Sequence, residues 1–115
     1  MSGKFEFKKS ESKKTFNIVL KGNFDPESGR AYVEAYNKNI NSINPSEYIL
    51  EFDCVELAVS GQESLPVLRS CFETYAKAGF KKVISIIDSK NIVLGMQVNR
   101  IARETGLPNF ELIKK

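Results

Sequence analysis

Hydrophobic and polar residues alternate at the start of the chain. In Lys4-Phe5-Glu6-Phe7-Lys8 both phenylalanines fall on one side of an extended segment, which predicts a half-buried strand. Lys9 to Lys14 is polar and reads as a turn. Phe16, Ile18 and Leu20 then alternate again, predicting a second strand and a hairpin. Gly22-Asn23-Phe24 closes that strand. Asp25 suits a helix N-cap, and Pro26 suits the first helical position, where no N–H is needed. Val33, Tyr36, Ile40 and Ile43 follow at 3-4-3 spacing, the apolar stripe of an amphipathic helix that Asn41, Asn44 and Pro45 end.

Glu47 to Asp53 is rich in aromatic and branched residues and predicts an inner strand. Cys54 to Glu63 reads as a loop, with one apolar alternation at Val55, Leu57 and Val59. A second helix carries Leu65, Leu68, Phe72, Tyr75 and Ala76 and stops at Gly79. Val83 to Ile87 is the most continuous apolar strand, as in a buried parallel sheet. Asp88-Ser89 is expected to cap a third helix that holds Leu94, Val98, Ile101 and Ala102. Gly106-Leu107-Pro108 breaks it, and Phe110 to Ile113 makes a last short strand. The order β-β-α-β-α-β-α-β predicts an α/β fold: a mixed sheet of about five strands, mostly parallel, with an N-terminal antiparallel hairpin and three helices.

The chain has 115 residues, enough for one core, and residues 1–115 read as a single domain. Hydrophobic residues make up 42% and charged residues 27%, which fits a globular protein rather than a disordered one. No apolar run is long enough to span a bilayer, and residues 1–15 lack the apolar region of a secretory signal. The net charge of +3 is unevenly spread. Residues 1–15 carry five lysines against two acids, residues 16–65 three basic groups against eight acids, and residues 66–115 nine against four. Such asymmetry steers charged partners unless the fold intermixes the two halves.

Chemistry is constrained by what is missing. With no histidine, the usual general base and most zinc sites are excluded. Cys54 and Cys71 lack a CxxC neighbour and read as buried thiols in a reducing cytoplasm. No Gly-rich phosphate loop and no G-x-S-x-G elbow occurs. Glu51 and Asp53 share a strand face, but without further ligands they read as solvated acids. Arg100, Arg103 and Lys81-Lys82 could form a small basic patch, yet Arg100 stands four residues before Glu104, a helical ion-pair spacing. The sequence therefore predicts no catalytic residue, metal or cofactor, and no nucleic acid as partner.

The segment 60–64 is the most informative. Ser60-Gly61-Gln62-Glu63 matches a capping box, S-x-x-E. Pro66 argues against Ser60 as the cap, because its ring would then clash with the carbonyl of Gln62. With Ser64 as the cap, Pro66 falls in the first turn, where it is tolerated. Ser60 to Glu63 then form a loop at the positive end of the helix, where Glu63 supplies a permanent negative charge.

Three segments resemble the STAS family, the domain of bacterial anti-sigma factor antagonists. Ile18-Val19-Leu20-Lys21-Gly22-Asn23-Phe24-Asp25 is similar to the family's strand followed by G-x-hydrophobic-D. Tyr48 to Asp53 is similar to its central strand, and a loop, a helix ending in Ala78-Gly79 and the strand 83–87 follow in the family's order. The resemblance covers roughly residues 5–113. It implies a STAS-like fold and a non-catalytic regulatory domain that binds a protein partner, an anti-sigma factor, a kinase-like protein or another signalling protein. Family members commonly carry D-S-S-G at the start of the helix after the central strand, and a partner kinase phosphorylates the second serine. Aligned without gaps, that motif falls on Gly61-Gln62-Glu63-Ser64, so the acceptor position holds Glu63. A register shifted by three would make Ser60 the acceptor. The resemblance thus implies a partner-binding loop and helix start comprising Asp53, Glu56, Ser60, Gly61, Gln62, Glu63 and Ser64, not switched by serine phosphorylation in the usual way. With Glu51, these acids would present an acidic edge to a basic protein surface. A small-ligand or lipid-headgroup site at the same helix start is the alternative.

Overall fold

The computed structural model describes residues 3–23, 26–58, 64–107 and 109–115. Its elements are β1 (Lys4–Ser10), β2 (Thr15–Asn23), α1 (Pro26–Ile40), β3 (Ile49–Ala58), α2 (Ser64–Ala78), β4 (Lys82–Ile87), α3 (Ile92–Thr105) and β5 (Glu111–Lys114). The strands form one sheet in the order β1-β2-β3-β4-β5. β1 runs antiparallel to β2, and every other neighbouring pair is parallel. The mixed sheet with its N-terminal hairpin and three helices is the architecture that the hydrophobic pattern predicts.

All three helices cover one face of this sheet. Phe7, Ile18, Phe52, Ser85 and Leu112 form a single row across the five strands. Tyr32 of α1 stacks on Phe7 with ring centroids 5.7 Å apart. Phe72 and Tyr75 of α2 pack on Phe52 at 5.2 and 5.4 Å. Gly95 of α3 lies against Ile87, which shares the side of Ser85 two residues earlier. Sequential strand order with right-handed crossovers requires this one-sided arrangement. The opposite face carries the row Glu6, Val19, Asp53, Ile86, Ile113 and, beside it, Lys8, Asn17, Glu51, Ile84, Glu111. Among the described residues, no helix packs there.

Local structure departs from the sequence reading in several places. The expected strand end at Asp53 is corrected: β3 continues through the supposed loop to Ala58, because β2 extends to Asn23 and supplies partners for Glu56, Leu57 and Ala58. Val19 to Lys21 on β2 faces Asp53 to Glu56 on β3, so β3 holds one extra residue, a bulge. The bulge reverses the alternation: Leu50, Phe52 and Cys54 point inward, and then Leu57 does. In α1 the buried positions are Ser28, Gly29, Tyr32 and Tyr36, while Val33 and Ile40 of the expected stripe are only partly covered. The cap of α3 is Asn91, whose Oδ1 accepts from the Leu94 N–H at 3.2 Å, and not Asp88-Ser89. Asp88 instead accepts from the Lys90 N–H, and Ser89 is held to the Lys115 carbonyl, so the β4–β5 ladder delays the helix.

Other expectations agree. α1 starts at Pro26, although Asp25 lies outside the described residues. α2 begins one residue earlier than expected, with Ser64 as its first helical residue rather than its cap; Pro66 still falls in the first turn, and Gly79 beyond the end of the helix adopts φ +77°. Arg100 pairs with Glu104 at 3.3 Å, and Arg69 of α2 holds the same carboxylate, tying α2 to α3. The two guanidinium groups, Arg69 first, hold the Glu104 carboxyl below its usual range.

Candidate functional site

The candidate site lies where β3 ends and α2 begins. Open parallel sheets place their sites at the carboxyl ends of the strands. For β3 that end is Ala58, five residues and roughly 16 Å beyond Asp53. Of the seven residues singled out in the sequence, Ser60, Gly61, Gln62 and Glu63 lie outside the described residues. Ser64 is the first residue of α2.

Asp53 sits in mid-strand on the helix-free face, between Val19 and Ile86. Its Oδ1 accepts the N–H of Val55 at 3.0 Å, so the carboxylate stabilises the bulge in its own strand. Glu51 shares that face, as the alternation predicted, and accepts from the Asn17 amide at 3.1 Å. Glu56, beyond the bulge, points outward and pairs with Lys21 at 3.5 Å. Both of its side chains are largely exposed, so this pair contributes little stability. Glu51, Asp53 and Glu56 therefore all lie on the helix-free side of β3, strung along the strand from its middle towards its end.

The cysteines frame the core side of the same region. Cys54 is the last inward residue before the bulge, and Cys71 faces it from α2; both are free and buried. Burial pushes the Cys71 thiol up to about 12 and the Cys54 thiol higher still, with the neighbouring Asp53 carboxylate adding to the latter. Neither thiol supplies a thiolate near neutral pH.

A feature absent from the sequence reading adjoins this region. The first turns of α1 and α2 border a groove of about 760 Å³, lined by Pro26, Gly29, Val33, Pro66 and Val67, with Arg30 and Glu34 at its rim. The helices approach closely at its floor, where a Cβ on Gly29 would stand 2.5 Å from Val67 Cγ1. Gly29 carried the signal: a glycine within an amphipathic helix, four residues before a half-covered valine, marks a close approach. Among the described residues, no group of three or more acids and cysteines could hold a metal ion, and no helix is long and apolar enough to cross a membrane.

No family model matches the chain, and no curated protein matches it by sequence. Similar solved structures include an uncharacterized protein of the DUF3478 family with a SpoIIAA-like fold, from Shewanella loihica PV-4. It shares 15% identity at a TM-score of 0.71, over 99% of this chain and 87% of that one. They also include SiaC, in the crystal structure of the diguanylate cyclase SiaD in complex with its activator SiaC from Pseudomonas aeruginosa. There the identity is 11% and the TM-score 0.64, over 100% of this chain and 95% of that one. At these identities the likeness is one of fold: the chain has the SpoIIAA-like, STAS-like fold.

Proposed function

We propose that residues 1–115 form one non-catalytic regulatory domain that acts in the cytoplasm by docking on a signalling protein. The reading is carried by one observation, the shared fold with SiaC, which is an activator found in complex with its cyclase. An anti-sigma factor or kinase-like protein is the partner class that the sequence resemblance adds. The proposed contact surface is Glu56, the segment 60–63 and the start of α2 at Ser64. Pro66 in the first turn of α2 supports the register that places Glu63 at the usual phosphoacceptor position. Glutamate brings one charge without the geometry of a phosphate, so partner binding there is not governed by serine phosphorylation.

Affinity capture with quantitative mass spectrometry tests this, comparing the wild type with Glu63→Ser and Glu63→Lys. At least one signalling partner is expected to be lost with Glu63→Lys; identical partner sets for all three would overturn the site. Stoichiometric phosphate on Ser60 would overturn the unswitched reading. A second reading, small-ligand binding, is favoured by the groove between α1 and α2. A thermal-shift screen with nucleotides and lipids separates it: a stabilising ligand whose effect is lost in Val67→Arg supports the groove.

A further inference from the structure

α3 turns Leu94, Val98, Ile101 and Ala102 into the core. On its opposite side Val93, Met96, Arg100 and Arg103 follow one another at 3-4-3 spacing, all exposed. Val93 and Met96 are 66% and 68% exposed, and Ile92 beside them is 70% exposed. This is the spacing by which one helix lays a seam along another. The seam is divided by chemistry, apolar in its first half and cationic in its second. Val93 and Arg100 lie two turns apart, about 10 Å along the axis. Arg103 makes no ion pair among the described residues, and Arg69 and Arg100 share the single carboxylate of Glu104. This end of α3 therefore carries uncompensated positive charge.

We propose that the outer face of α3 docks an acidic amphipathic helix of a partner protein. Its apolar side chains would cover Ile92, Val93 and Met96, and its carboxylates would meet Arg100 and Arg103 two turns on. Charge complementarity selects this occupant. A second copy packed parallel would set Arg100 against Arg100; packed antiparallel, it would bury each pair of arginines under the other's apolar half with no counter-charge. An anionic membrane fits poorly as well. A helix lying in a bilayer surface keeps its cations on its polar face. Here the cations continue the apolar stripe itself, so insertion would drive them into the acyl layer.

The residues involved are not those proposed around Glu63 and are opposite to them in charge, so variants separate the two. The probe is a helical peptide of roughly three heptads with leucine at the seam positions of one half and glutamate at those of the other. The full chain is expected to bind it saturably, with NMR shifts confined to α3 and affinity that falls as salt rises. Met96→Glu should weaken binding about tenfold or more, as expected for loss of an anchor. A lysine-for-glutamate peptide should fail on the wild type and bind the Arg100→Glu/Arg103→Glu variant. Glu63→Lys should leave all of this unchanged. Met96, Arg100 and Arg103 are all exposed, so an unaltered circular dichroism spectrum and a cooperative melt confirm that the variants are folded. Absent or variant-insensitive binding, or equal binding of the lysine peptide, overturns the proposal. So does phosphatidylglycerol-vesicle binding or concentration-dependent dimerisation that Met96→Glu abolishes.

Discussion

The hydroxyl of Tyr36 is buried and has no hydrogen-bond partner among the described residues. Its neighbours Tyr32 and Tyr75 bond to each other. A buried unsatisfied donor costs about 1–3 kcal/mol, whereas a made hydrogen bond contributes about 1 kcal/mol. Two isosteric changes should therefore differ in sign. Tyr36→Phe is expected to raise the unfolding free energy by about 1 kcal/mol, and Tyr75→Phe to lower it by a similar amount. Urea denaturation with an unchanged slope checks both. Asp53 is a second residue whose role is open to decision. As the acceptor for Val55 it holds the bulge, so Asp53→Ala should cost about 1 kcal/mol and speed hydrogen exchange at the Val55 amide. Asp53→Asn keeps an acceptor oxygen and should do neither. Loss of partner capture in both variants, with stability kept in Asp53→Asn, would instead show that the carboxylate contacts a partner.

The helices are positioned by two glycines that look alike in sequence and behave differently in the fold. A Cβ at Gly29 would stand 2.5 Å from Cγ1 of Val67, a short side chain with one preferred rotamer in a helix. A Cβ at Gly95 would stand 2.8 Å from Cδ1 of Ile87, the far end of a longer side chain that can turn aside. Alanine gains about 1 kcal/mol of helix propensity over glycine at either site. Gly95→Ala should therefore be neutral or stabilising. Gly29→Ala should be destabilising by about 1–3 kcal/mol, the usual cost of overpacking. Adding Val67→Ala to Gly29→Ala should recover part of that loss, and a double-mutant cycle measures the coupling.

At the scale of the whole molecule, five described groups are held in their neutral forms by the core around them: Cys54, Cys71, Tyr32, Tyr36 and Tyr75. Burial raises each above its ordinary value of 9 for the thiols or 10 for the phenols. The unfolded chain ionises them first, so their contribution to stability is complete below about pH 9 and is lost as pH rises. Each group removes about 1.4 kcal/mol per pH unit once it is ionised only in the unfolded state. All five together would remove about 7 kcal/mol per unit, as much as the whole stability of many domains. Unfolding free energy should stay level to about pH 9 and then fall steeply, with tyrosinate absorbance rising in step with unfolding. Gradual tyrosine titration in a folded chain would contradict this packing.

Element types and their order were legible in the sequence because each rests on local periodicity. Phe16, Ile18 and Leu20 could form only a strand, and Leu94, Val98, Ile101 and Ala102 only a helix face. Burial of the thiols followed from the lack of any activating neighbour. The same locality explains the errors. The bulge at Asp53–Glu56 breaks the period of two, so Cys54 to Ala58 read as loop although β2 supplies partners for Glu56, Leu57 and Ala58. Asp88-Ser89 had the composition of a cap, but pairing with Lys115 decided where the helix could begin. The Glu63 register comes from the ungapped alignment with Pro66 in its support, and is a statement about the chain alone. The groove beside α2, the helix-free sheet face and the outer seam of α3 depend on which elements meet. By itself the sequence determined the strands, the helices and the chemistry they exclude, since propensity, patterning and residue type act within a few residues. Only the tertiary structure decided which faces are covered, because coverage is set by sequential strand order and crossover handedness, which join residues far apart along the chain.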